Sequence, residues 1–180
     1  FDGLDINMGC PSKSVAASGS GAALIKTPDL AHAIVRAARQ GLEDWAGGQS
    51  IHSQGFKPSR IEFIHTLNHS RSGVPVVPRR LLPLSIKTRL GFDCVVVERW
   101  VEHLLEARPA AITLHGRTLQ QMYRGAADWS AIAEAAKLAR GTGTLMLGNG
   151  DLNTLVDAIR RAAESKVQGV LVGRGTLGSP

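Results

Sequence analysis

The chain has 180 residues, of which 43% are apolar and 20% charged, proportions that exclude a disordered, collagen-like or coiled-coil polymer. Lys and Arg number 21 against 15 Asp and Glu, for a net charge of +6 and a pI near 9.9, a balance that favours an acidic partner such as nucleic acid. No run approaches the ~20 consecutive apolar residues that span a bilayer, no basic n-region precedes Phe1-Asp2-Gly3, and the two cysteines, Cys10 and Cys94, lack metal-ligand spacing; the expectation is a cytoplasmic, reducing setting with no membrane and no metal.

Leu4-Asp5-Ile6-Asn7-Met8 reads as a short strand ending at Gly9. Because the chain opens in such a run without an initiator Met, it is expected to be a partial sequence. Residues 28–40 carry helix punctuation, with Thr27 as cap, Pro28 in the first position, Asp29 at the positive end and Gly41 as stop. The stripe of that helix is Leu30, Ile34, Ala37 and Ala38. Residues 84–90 alternate apolar and polar and read as a strand. A helix follows from Val95 to Ala107, with Val97, Trp100, Val101, Leu104 and Leu105 on one face, then a strand at 111–114. Next come a helix at 129–139 that Asp128 can cap, a strand at 145–147, a helix at 153–164 with Leu155, Val156 and Ile159 inward, and a strand at 169–172. Such alternation implies a parallel sheet with helices outside it.

Residues 43–83 break the rhythm with loop formers (Gly47-Gly48, Gly55, Pro58, Pro75, Pro78) and a basic pair, Arg79-Arg80. Ile61-Glu62-Phe63-Ile64 reads as a short strand or helical turn within it. A connection this long is unusual in an α/β unit. It is either a solvated surface insertion or an excursion whose His and Arg residues face nucleic acid.

Polar clusters stand at the ends of the strands, where parallel α/β folds bind ligands. The first is Asn7-Met8-Gly9-Cys10-Pro11, followed by Gly19-Ser20-Gly21-Ala22-Ala23. A thiol in a Gly/Pro turn can serve as nucleophile or proton donor, and the Gly19-Ser20-Gly21 run permits close backbone approach. The second cluster is Lys87 and Arg89, two apart and so on one face. Either both lie at a wet strand end, or their burial calls for an anion or electron-rich cofactor. The third is His115-Gly116-Arg117-Thr118, whose His suits a phosphate or a ring edge when it is not merely structural. The last are Gly148-Asn149-Gly150-Asp151 and Gly173-Arg174-Gly175, two successive Gly-rich strand ends of the kind that form a TIM-barrel phosphate site.

Taken in order, these motifs resemble the signature of the tRNA-dihydrouridine synthases: Asp5 to Pro11 with Gly19 to Ile25, Lys87-Thr88-Arg89-Leu90-Gly91, Leu114 to Thr118, Gly148 to Asp151, and Val172 to Gly175. The resemblance implies a TIM (β/α)8 barrel that binds FMN, with the five strands here matching barrel strands four to eight and the C-terminal helical domain absent. It implies NADPH-dependent reduction of the C5–C6 double bond of a tRNA uridine. Cys10 matches the catalytic proton donor, and Lys87 a flavin contact. His115 matches a His near the flavin and its phosphate. Asn149, Gly150, Asp151, Gly173 and Arg174 match the FMN-binding loops, the last two at the phosphate. Asn7, Arg89 and Arg117 fall within motifs and are assigned to substrate or pocket shape. The complete protein is expected to be monomeric. Two other readings are an FMN-linked barrel acting on a free small molecule, like a dihydroorotate dehydrogenase, and a non-catalytic RNA-binding relic.

Overall fold

A computed structural model describes residues 1–70, 73 and 78–177; of the loop formers named above, Pro75 lies outside the described residues. The chain divides into two compact units, Phe1–Arg36 with Pro83–Pro180, and Ala37–Leu82.

The larger unit is organised by five strands, β1 (Leu4–Asn7), β2 (Leu84–Arg89), β3 (Ala111–His115), β4 (Leu145–Asn149) and β5 (Gly169–Leu171). All pair in parallel, in chain order. A short helix α1 (Lys13–Ala17) and the long α2 (Pro28–Ala46) follow β1, and α3 (Pro58–Ser70) belongs to the smaller unit. Helices α4 (Val97–Glu106), α5 (Trp129–Leu138) and α6 (Leu155–Ser165) then connect β2 to β3, β3 to β4 and β4 to β5. Parallel strands laid down in chain order with a helix between each pair are the repeat of an α/β barrel, present here as five strands.

Side chains two apart share a face of the sheet. Ile86, Ile112, Leu114 and Met146 are wholly buried on the face that the helices cover. Trp100 of α4 donates from Nε1 to Thr88 Oγ1 there, at 3.0 Å. On the same face Trp129 of α5 lies so close to Gly148 that a Cβ at that position would collide with its ring. The opposite face carries Lys87, Arg89, Thr113, His115, Leu147 and Asn149. Register aligns these into two rows: Asn7, Lys87, Thr113 and Leu147 in one, Arg89, His115, Asn149 and Leu171 in the next.

Helix α5 begins as expected, with Asp128 accepting from the Ala131 N–H at 3.0 Å. Several expectations are corrected. Helix α2 runs through Gly41 to Ala46; a solvated glycine inside a helix costs only about 1 kcal/mol and does not end it. Its buried residues are Ala31 and Val35, while Leu30 is 50% exposed, because the packed stripe lies one residue round from the one expected. In α6, Leu155, Val156 and Ile159 are not inward but 75%, 72% and 62% exposed, and Ala158 and Ser165 are the buried residues. Periodicity marks an apolar stripe but cannot say which side meets a neighbour. Strands β3 and β4 end at His115 and Asn149, so the polar groups expected just past those two strands close them, while Arg89 ends β2 inside the strand as read.

In the smaller unit, Ile61-Glu62-Phe63-Ile64 is helical, and Pro58, read as a loop former, stands in a helix. Pro58 opens the 13-residue helix α3, since proline suits a first helical position as well as a turn. No residue of α3 is buried. Ser50 accepts from the His52 N–H at 3.2 Å, His52 and His65 meet through their Nε2 atoms at 3.3 Å, and Arg79 donates to the Trp45 carbonyl at 3.4 Å.

Because Gly148 is the slot for the Trp129 ring, Gly148→Ala in the full-length protein is expected to lose about 1–3 kcal/mol by overpacking, read as a lower midpoint in urea unfolding at unchanged m-value.

Candidate active site

The carboxyl ends of the strands surround a cavity of about 370 Å³, a size common for small-molecule sites. All eleven candidate residues line it: Asn7, Cys10, Lys87, Arg89, His115, Arg117, Asn149, Gly150, Asp151, Gly173 and Arg174.

Cys10 is a half-buried free thiol in a turn secured from both sides. Asn7 Oδ1 accepts from the Gly9 N–H at 3.0 Å, so this side chain shapes the turn before the thiol. The Cys10 carbonyl accepts from the Ala22 N–H at 3.1 Å. Gly21, at φ +59°, comes so close that a Cβ would stand 2.8 Å from the Cys10 oxygen. The Gly19-Ser20-Gly21 run therefore packs against the Cys10 turn.

Lys87 and Arg89 differ in how they tolerate burial. Arg89 is 3% exposed and donates to three backbone carbonyls, Gly9 at 2.8 Å, Thr118 at 2.9 Å and Met122 at 3.2 Å. Backbone oxygen, not an external anion, offsets the cost of burying it. Lys87 is half-buried and its ammonium has no hydrogen-bond partner among the described residues. Burial, then the neighbouring Arg89, hold its pKa below the ordinary lysine value.

His115 is 9% exposed among these cations. Burial, followed by Arg89, Lys87 and Arg117, lowers its pKa to about 3, so the imidazole is neutral near pH 7. Arg117 Nη1 approaches its Nε2 at 3.5 Å, which makes Nε2 the acceptor and assigns the proton to Nδ1.

Arg117 is 3% exposed and grips both carboxylate oxygens of Asp151 from Nη2, each at 2.8 Å. It also donates to the carbonyls of Arg124 and Gly125. Asp151 accepts from the Ala127 N–H at 2.7 Å as well. Burial pushes the Asp151 carboxyl up, but that N–H and the guanidinium outweigh it and hold its pKa below the usual range. Asp151 and Gly150 sit at φ +50° and +127°, a turn further tied down by Trp129 Nε1, which donates to the Gly150 carbonyl at 3.0 Å. A Cβ on Gly150 would crowd Ala127 and the His115 ring. Asn149 bridges strands, its Nδ2 donating to the Leu171 carbonyl at 2.6 Å.

Tyr123 was missed by the sequence reading. It lines the cavity and is 59% exposed, with the Arg174 guanidinium 5.2 Å from its ring centroid. The available signal was that it is the one tyrosine of the chain, eight residues beyond His115 in a polar loop. Among the described residues no group of three or more His, Cys, Asp or Glu side chains converges as a metal site, and no helix is long and apolar enough to cross a membrane.

A basic cavity at the carboxyl ends of successive parallel strands, with a thiol on its wall, lies where an α/β barrel binds its ligands. The chain belongs to the dihydrouridine synthase family: the model of that family, described as "Dihydrouridine synthase (Dus)", matches residues 1–44 and 68–180. Residues 45–67, inside the smaller unit, fall outside the match. The whole chain is 32% identical over 183 residues to the Bacillus subtilis (strain 168) protein named "Probable tRNA-dihydrouridine synthase 2". It is 31% identical over 184 residues to the Staphylococcus aureus (strain Mu50) "Probable tRNA-dihydrouridine synthase", and 30% identical over 184 residues to a Staphylococcus epidermidis protein of that name. In each case the chain spans 44% of the relative's length.

Two outcomes test this geometry. His115 has a folded-state pKa of about 3 against about 6.5 unfolded. Above pH 6.5 neither state binds the proton; below it the unfolded chain does first, so stability is lost as pH falls toward 3, by at most ~1.4 kcal/mol per pH unit. His115→Asn is expected to flatten that slope in urea titrations between pH 6.5 and 4.5. Asp151→Ala is expected to cost about 3 kcal/mol, the low end for a buried pair, because Arg117 stays buried while Asp151 is one-third exposed; Asp151→Asn, which keeps an acceptor, costs less in the same assay.

Proposed function

We propose that the complete protein is a tRNA-dihydrouridine synthase that uses FMN and NADPH to reduce the C5–C6 double bond of a tRNA uridine. The observation that carries this is the half-buried Cys10 thiol in the same cavity as a row of cations, in a chain of this family.

The donor set suits flavin mononucleotide. Lys87 is a cation without a partner among the described residues, and Arg174 is exposed at a strand end. Gly173 beside it leaves open space, with no atom within 4 Å of where a Cβ would stand. Gly173 and Arg174 would hold the phosphate, and Lys87 and His115 the ring system. The loop of Asn149, Gly150 and Asp151 would form the floor, kept in place by Arg117. When bound, the flavin supplies the hydride for C6 of the uracil, with NADPH as the source of electrons.

The chain's own part is the proton. Reduction of the double bond needs H⁻ at one carbon and H⁺ at the other, and Cys10 delivers the proton from its Sγ to C5, then regains one from solvent. Neutral His115 cannot compete as an acid near pH 7, but it can donate a hydrogen bond from Nδ1. The base must leave the tRNA stack to reach this cavity. The net charge of +6 favours such a polyanion. The remaining assignments are a cytoplasmic, monomeric protein, with residues 43–83 an insertion that leaves the chemistry intact and the C-terminal helical domain outside this chain.

The test is Cys10→Ala in the full-length protein. Flavin absorbance is expected to survive while dihydrouridine formation on unmodified tRNA falls on the order of 10²–10⁴-fold. Undiminished reduction would remove Cys10 from its role. Wild-type turnover of free uracil or orotate but not of tRNA would establish instead a barrel acting on small molecules.

A further inference from the structure

We infer that Arg89 is a positioning residue that holds the Cys10 turn and the Tyr123 loop at one fixed separation; this rests on the reading of Cys10 as the proton donor. The carbonyls it engages are not scattered. Gly9 immediately precedes Cys10 and Met122 immediately precedes Tyr123, and the same guanidinium donates to both, at 2.8 Å through Nε and 3.2 Å through Nη1. A third bond, to Thr118 at 2.9 Å, anchors the start of the Tyr123 loop. Guanidinium is planar, with its donors at fixed angles. One rigid group therefore links the backbone carrying the thiol directly to the backbone carrying the phenol.

Each loop also has local bonds that do not involve Arg89. The Cys10 turn has Asn7 Oδ1 accepting from the Gly9 N–H, and the Met8 N–H donating to the Lys87 carbonyl at 2.7 Å. In the Tyr123 loop, Gln121 Oε1 accepts from the Thr118 N–H at 2.7 Å, and the Met122 N–H donates to Leu119 at 3.0 Å. Both loops are also tied to the end of β2, by Thr88 Oγ1 donating to the Met8 carbonyl at 3.1 Å and by the Leu119 and Gln120 N–H groups donating to Gly91 and Phe92, each at 2.9 Å; what Arg89 adds is the one direct link between Gly9 and Met122. Met122 sits at φ +52°, a conformation that a non-glycine residue adopts only when its surroundings hold it there, and the Arg89 bond to its carbonyl is part of that hold. Strain and brace meet one residue from the ring that faces the cavity.

A lysine would keep the charge and lose the fork. Arg89→Lys in the full-length protein is therefore expected to retain flavin absorbance within about 2-fold and KM for tRNA within about 3-fold. Its kcat should fall roughly 10–100-fold, the scale of a misplacement near 1 Å. In a Cys10→Ala background the same change should cost nothing further. Alkylation of Cys10 by iodoacetamide, which needs no turnover, should change at least ~5-fold in rate. A kcat loss that only tracks lost flavin or lost folded protein overturns the inference. So does a loss that adds in full to that of Cys10→Ala, or an unchanged alkylation rate. If Arg89→Lys does not fold, Arg89→Gln, which is neutral and able to reach one carbonyl, is judged by the same criteria. A wild-type protein that reduces no tRNA would sink the proposed activity, while the alkylation comparison would still decide the brace.

Discussion

Several positive charges meet at the carboxyl end of a single parallel sheet, and most of the local geometry makes that tolerable. Arg89 and Arg117 are nearly as buried as core side chains, a position that is costly without partners. Five backbone carbonyls and the Asp151 carboxylate supply them. Those bonds in turn dictate which loops lie beside which. His115 responds by staying neutral, and Lys87 is left without a partner among the described residues, so the cavity keeps a net attraction for anions.

Close packing explains the glycines. Gly21, Gly148 and Gly150 each stand where a Cβ would strike a neighbour: the Cys10 backbone, the Trp129 ring, or Ala127 and the His115 ring. They are packing glycines that let the thiol turn, the helix face and the Asp151 turn close on the sheet. The two left-handed non-glycine residues near the cavity, Met122 and Asp151, are each held by a buried arginine. A buried arginine thus holds each strained turn within a few residues of the proposed chemistry.

Much of this was legible in the residues. The alternation of strands and helices, the Asp128 cap, the basic strand ends and the family resemblance all follow from local pattern, and each candidate residue lines one cavity. The outward turn of Leu155, Val156 and Ile159 and the burial of Val35 rather than Leu30 depend on which neighbour covers a surface, and an apolar stripe reads the same with either neighbour. The helix opened at Pro58 was illegible for another reason: a proline reads the same in a turn and in a first helical position. Tyr123 escaped because a lone aromatic in a loop has no period to betray it.

The sequence by itself determined the chemistry on offer, namely one thiol in a Gly/Pro turn, cations at strand ends and two late glycine-rich loops, together with the family to which they belong. Only the tertiary structure decided how those groups divide their work. Parallel register set Arg89, His115 and Asn149 in one row, and the low tolerance of a packed interior for unpaired charge then bound Arg89 to carbonyls and Arg117 to Asp151. A string of residues specifies which groups can donate; which acceptors lie within 3 Å is a property of the folded chain.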